Sequence, residues 1–108
     1  MADRPEPSVF ARRLRQAREA CGLSQKQLGI AAGLDPFVAS ARINRYETGM
    51  HEPNSWTATQ LAKAMHLSAA FFYAEDERLA KMIEIFHRLP KREQAAWLKR
   101  GPDHTPTK

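Results

Sequence analysis

Arg42, Asn44 and Arg45 carry side chains that can each make two hydrogen bonds to one planar partner. Arginine donates bidentately to guanine, asparagine pairs in the same way with adenine, and small apolar groups meet a thymine methyl. Such chemistry requires the residues to share one face. If Ile43 is the apolar anchor of a helix, Ala39 and Tyr46 fall on its side at i−4 and i+3. The opposite side then carries Ala41, Asn44 and Arg45, flanked by Ser40 and Arg42. That composition suits a DNA major groove. No nucleophile–base pair and no phosphate-cradling glycine loop is present, so no catalytic residue is expected. His51, His66, His87 and His104 lack metal-ligand spacing and Cys21 lies near no motif, so neither metal nor cofactor is expected.

The surrounding residues supply the elements that would hold this face. Ser24 is a good N-cap, and Gln27, three positions on, can complete a capping box. Leu28, Ala31 and Ala32 then follow at apolar helical spacing. Gly33 stands where a helix end wants a left-handed residue. Asp35-Pro36 reads as an N-cap with a first-turn proline, opening a second helix that runs to Glu47 and stops before Gly49. Two short helices joined by a tight turn make a helix-turn-helix.

This stretch resembles the Cro/lambda-repressor, or Xre, type of helix-turn-helix. The resemblance rests on Leu23-Ser24-Gln25, Leu28, Ala31-Ala32-Gly33-Leu34 and the run Ile43 to Gly49, with Pro53 and Leu61 to Ser68 downstream. It covers residues 8 to 73 and implies an all-α, five-helix DNA-binding domain. It places Gln25, Lys26 and Thr48 against DNA phosphates, with the same five positions, Ser40, Ala41, Arg42, Asn44 and Arg45, as base or backbone contacts. It also implies an ion pair between Arg18 and Glu47 that ties helix one to helix three. The sequence departs from the pattern between Gly33 and Ile43, where roughly four extra residues amount to about one helical turn. An extension of that length can sit on helix three with little rotation of its face. Phe37 and Val38 would then face away from the core. The segment is expected to bend so that Phe37 packs against the turn; the alternative is contact with thymine methyls.

The remaining chain completes a small all-α protein of 108 residues. Residues 1–7 read as a disordered tail. Ser8 caps helix one, where Phe10, Leu14 and Ala17 form a buried stripe. Arg12, Arg13, Arg15 and Arg18 crowd the same helix and read as a solvated or phosphate-facing run. Asn54 or Ser55 caps helix four, whose apolar face is Trp56, Leu61, Ala64 and Met65. Ser68 caps a short helix carrying Phe71 and Phe72. Residues 74–100 form a C-terminal helical hairpin. Its first helix presents Leu79, Met82, Ile83, Phe86 and Leu89; its second presents Ala95 and Leu98, with Trp97 beside them. This apolar surplus is expected to form a dimer interface, the alternative being packing back onto the same chain. Residues 101–108 read as a second disordered tail.

The formal charge of +5 and pI near 9.8 favour an anionic partner. A single cysteine excludes an intrachain disulfide and suits a reducing cytoplasm. No apolar run approaches the ~18 residues of a membrane span, and no signal-peptide pattern opens the chain. The expected partner is double-stranded DNA, bound by a homodimer on a palindromic operator, with repression as the outcome. Two rivals remain: an antitoxin whose residues 75–100 hold a toxin, and a protein-interaction adaptor using the same fold.

Overall fold

The computed structural model describes residues 8–101. The expected tail at 1–7, and all but the first residue of that at 101–108, lie outside them. The described chain is all-helical: α1 (Val9–Ala20), α2 (Gln25–Ala31), α3 (Ala39–Glu47), α4 (Ser55–Ala64), a 3-10 helix (Ala69–Tyr73), α5 (Glu77–Arg88) and α6 (Lys91–Arg100).

Local chemistry sets most helix starts. Ser8 Oγ accepts the Ala11 amide at 3.0 Å to open α1. Ser24 and Gln27 close a reciprocal capping box, with the Ser24 amide donating to Gln27 Oε1 at 2.8 Å and the Gln27 amide to Ser24 Oγ at 3.0 Å. Asn54 Oδ1 accepts the Thr57 amide at 2.8 Å and starts α4. Gly33, with φ +93°, turns the chain after α2 in a region few other residues adopt cheaply.

The core gathers Phe10, Leu14 and Ala17 of α1 with Leu28, Ile43, Tyr46, Leu61 and Met65, and Phe71 and Phe72 close its far side. Each such large apolar side chain contributes about 1.5–3 kcal/mol on burial. α1 packs on α3 and on the 3-10 helix, while α2 packs on α3 and α4. The glycine at position 29 permits the α2–α3 contact: a Cβ there would lie 2.6 Å from Ala39 Cβ.

Several expectations are corrected. Helix three is not lengthened. Asp35 Oδ1 accepts the Phe37 amide at 2.8 Å and Asp35 O accepts the Val38 amide at 3.0 Å, so residues 36–38 form a separate turn and α3 begins at Ala39. Packing of Ala39 on Gly29 sets that start rather than the Asp-Pro signal. Phe37 does not pack against the turn; it is 98% exposed. Ala31 is exposed, leaving Leu28 and Ala32 as the buried face. Trp56, at 68% exposure, is not part of the α4 core face. The arginine run is also not one solvated face, because Arg13 is 1% exposed.

Arg13 joins the helix-turn-helix body to the C-terminal hairpin. Its Nε donates to Ala74 O at 2.8 Å, its Nη2 to Glu75 O at 2.9 Å, and its Nη1 to Glu77 Oε2 at 2.6 Å. At the other end of α5, Arg88 donates to the free carbonyls of Met65 and His66 at the end of α4, each at 3.1 Å. Ala80 is the buried residue of α5, and α6 buries none.

Candidate nucleic-acid interface

α3 is held from behind and bare in front. Ala39, Ile43 and Tyr46 are buried, whereas Ser40, Ala41, Asn44 and Arg45 are exposed. Arg42 differs from these: it is half-buried, with Nη2 2.8 Å and Nε 3.2 Å from the Tyr46 hydroxyl and its guanidinium 5.7 Å from the ring centre. It lines a polar crevice with Arg45, His51, Glu52 and Asn54, at the flank of the exposed strip. The N-cap of α3, Val38, makes no side-chain hydrogen bond, so the Ala39, Ser40 and Ala41 amides find no acceptor within the described chain.

The far end of α3 is clamped. Arg18 engages Glu47 through two parallel hydrogen bonds, Nε to Oε2 at 2.5 Å and Nη2 to Oε1 at 3.1 Å. Its Nη1 donates to Leu23 O at 2.9 Å. The side chains are 14% and 4% exposed. Hydrogen bonding to the Glu47 carboxylate raises the Arg18 pKa above its ordinary value, against the opposing effect of burial. α1 therefore fixes the direction of α3 through a planar fork that a lysine would not reproduce.

Gln25 belongs to the same cluster. Its Nε2 donates to Glu47 Oε1 at 3.1 Å, so this amide sits between the start of α2 and the end of α3. Lys26 beside it is exposed. Thr48 is exposed, with Oγ1 donating to Arg45 O at 3.3 Å. Across residues 36–48 the carboxylate is that of Glu47, paired with Arg18, so the strip itself carries none; Asp35 and Glu52 flank this stretch and are exposed.

The hairpin presents a second surface. Leu79 and Met82 are exposed, and Ile83, Phe86 and Leu89 are partly covered. Phe86 lies against Trp97 with ring centres 6.1 Å apart. Met82, Ile83, Phe86, Trp97 and Leu98 line an open apolar cleft.

The buried Arg13 was not identified as a structural anchor from the sequence, although a signal existed. Residues 10, 13, 14 and 17 lie on one helical stripe, and its three other members are apolar. No helix among the described residues is long and apolar enough to cross a membrane.

Residues 9–71 match the model of a family described as a helix-turn-helix domain. Among solved structures, the crystal structure of the transcriptional regulator BswR is similar to this chain with a TM-score of 0.71 and 38% sequence identity, over 84% of this chain and 93% of that one. That share exceeds residues 1–71, so the likeness extends into the C-terminal helices. A comparison with curated proteins finds no match.

Proposed function

This chain belongs to the helix-turn-helix domain family, and from that premise we propose that it is a sequence-specific DNA-binding transcriptional regulator of the Cro/lambda-repressor type, acting as a repressor. The observation that carries the reading is the carboxylate-free strip of Ser40, Ala41, Asn44 and Arg45 on a helix clamped by Arg18 and Glu47. A protein-interaction adaptor has no need of such a basic, bidentate-capable face.

In this reading α3 enters the major groove. Asn44 and Arg45 engage base edges, Ser40 and Ala41 make the smaller contacts, and Arg42 reaches base or backbone from the flank. Gln25, Lys26 and Thr48 meet phosphates, which fix register but carry no sequence information. Residues 8–73 form the DNA-binding unit, and residues 74–100 pair two copies through Leu79, Met82, Ile83, Phe86 and Leu89. Two-fold symmetry then demands a palindromic operator with half-sites about 34 Å apart. Repression follows from occupying DNA that polymerase needs, which requires no catalytic group.

Selection of bound duplexes from a random DNA pool tests the reading. An enriched palindrome with that spacing is expected. Enrichment of single half-sites would remove the homodimer, and no enrichment would remove sequence-specific binding.

A further inference from the structure

Phe37 is the feature that this reading leaves unused. It is 98% exposed, more than any other large apolar side chain described; Leu98, Met50 and Trp56 follow at 73%, 70% and 68%. It does not sit on a loose loop. Pro36 restricts the backbone on one side, and Asp35 accepts the amides of both Phe37 and Val38. Val38, the next residue, is the N-cap of α3. An aromatic ring is thus held, without packing, on a rigid turn at the leading end of the reading helix. Because the backbone is already ordered, immobilising the ring on binding costs only two side-chain torsions.

We propose that Phe37 is a specificity-determining residue that contacts a thymine C5-methyl in the major groove, extending the reading surface one step beyond α3. The inference rests on the DNA-binding reading above. In helix-turn-helix docking the N-terminal residues of the second helix meet base edges, and Phe37 lies just ahead of them in the chain. Thymine is the base that offers an apolar group in that groove, and phenylalanine is among the side chains that take it. The exposed strip that follows the ring on α3 carries Arg45 and no carboxylate, which favours DNA over a protein partner. Asp35, two residues before the ring, keeps its charge while its Oδ1 accepts the Phe37 amide. The residues between Gly33 and α3 then have a purpose: they carry this ring forward without moving the Gly29–Ala39 contact that seats the helix.

The test uses the full chain and the duplex enriched from a random pool, with each thymine in turn replaced by deoxyuridine. That exchange removes one major-groove methyl and leaves base pairing intact. Wild-type affinity should fall about three- to fivefold at one thymine per half-site, the effect of losing one buried methyl. Phe37→Ala should weaken binding to the thymine duplex by at least as much and abolish the thymine–deoxyuridine difference at that position only. Phe37→Leu should restore much of it. The ring makes no packing contact, so melting temperature should be unchanged in both variants. If Phe37→Ala weakens all duplexes equally, the methyl contact is overturned. If it changes no affinity while Arg45→Ala does, Phe37 faces something other than DNA and the proposal fails, with the DNA-binding reading intact. If the wild-type chain enriches no sequence, both fail.

Discussion

Arg45 and Asn44 differ from Gln25 in what surrounds them, and their substitutions should differ in character. The first two are exposed on α3. Arg45→Ala is expected to cost about 1–3 kcal/mol on the preferred operator and to relax one base position. Asn44→Ala should act at a neighbouring position. Gln25→Ala should weaken all sequences about equally, because it removes a positioning contact and loosens the α2–α3 junction at Glu47. Affinities on a panel of single-base operator variants separate these outcomes. A uniform loss for Arg45→Ala would make it a phosphate contact. Glu47 acts through stability instead. Glu47→Ala leaves Arg18 largely buried without its carboxylate, and should cost on the order of 2–4 kcal/mol. The exposed Glu93→Ala serves as control in thermal melts; equal shifts would show the clamp contributes little.

The elements meet at two points where one residue decides the packing. The α2–α3 crossing depends on the missing Cβ at position 29. Gly29→Ala would force Ala39, and with it α3, outward, and should destabilise by about 1–3 kcal/mol. Operator affinity should fall beyond what the melting shift explains, because the reading helix is displaced; unchanged affinity would mean that the contact relaxes locally. The second point is Arg13, where α1, the 3-10 helix and α5 converge. Its hydrogen bond holds the Glu77 carboxyl below its ordinary range. A lowered folded pKa means that folding disfavours protonation. The associated stability is therefore present above the ordinary value of 4.5 and is lost as pH falls from there through the lower folded value. Melting temperature measured against pH should show this acid limb, and Glu77→Gln should flatten it. An identical limb in the variant would assign the acid sensitivity to other carboxylates.

At the scale of the molecule, the question is what covers the apolar surface of the hairpin. Deleting the hairpin would be a poor test, since Ala74, Glu75 and Glu77 satisfy the buried Arg13 and Ala80 is part of the core. Substitution at the open edge is cleaner. Met82 and Leu98 are 49% and 73% exposed, so Met82→Glu with Leu98→Glu should leave the fold unchanged. Light scattering is then expected to report a dimer for the parent and a monomer for the double variant, with operator affinity falling because two half-sites no longer bind as one unit. A double variant that remains dimeric would place the interface elsewhere.

The all-α architecture and most helix starts were legible in the residues, because capping and apolar periodicity are local. Ser24 with Gln27, Asn54, and the Phe10–Leu14–Ala17 stripe act within a turn or two of themselves. The exposed strip on α3 was legible for the same reason: once Ile43 faces inward, helical geometry turns Ala41, Asn44 and Arg45 outward. Two features depended on contacts distant in sequence, and a third on the absence of one. Arg13 is buried because the backbone carbonyls of Ala74 and Glu75 and the Glu77 carboxylate satisfy a guanidinium that periodicity alone would place in an apolar stripe. α3 begins at Ala39, not at the Asp-Pro signal, because Gly29 admits Ala39 at close range. Phe37 stands in solvent because Asp35 spends its acceptors on a separate turn and no other element reaches the ring. Local propensity names the elements; where a helix begins, which charge is buried and which ring is left bare follow from tertiary contacts.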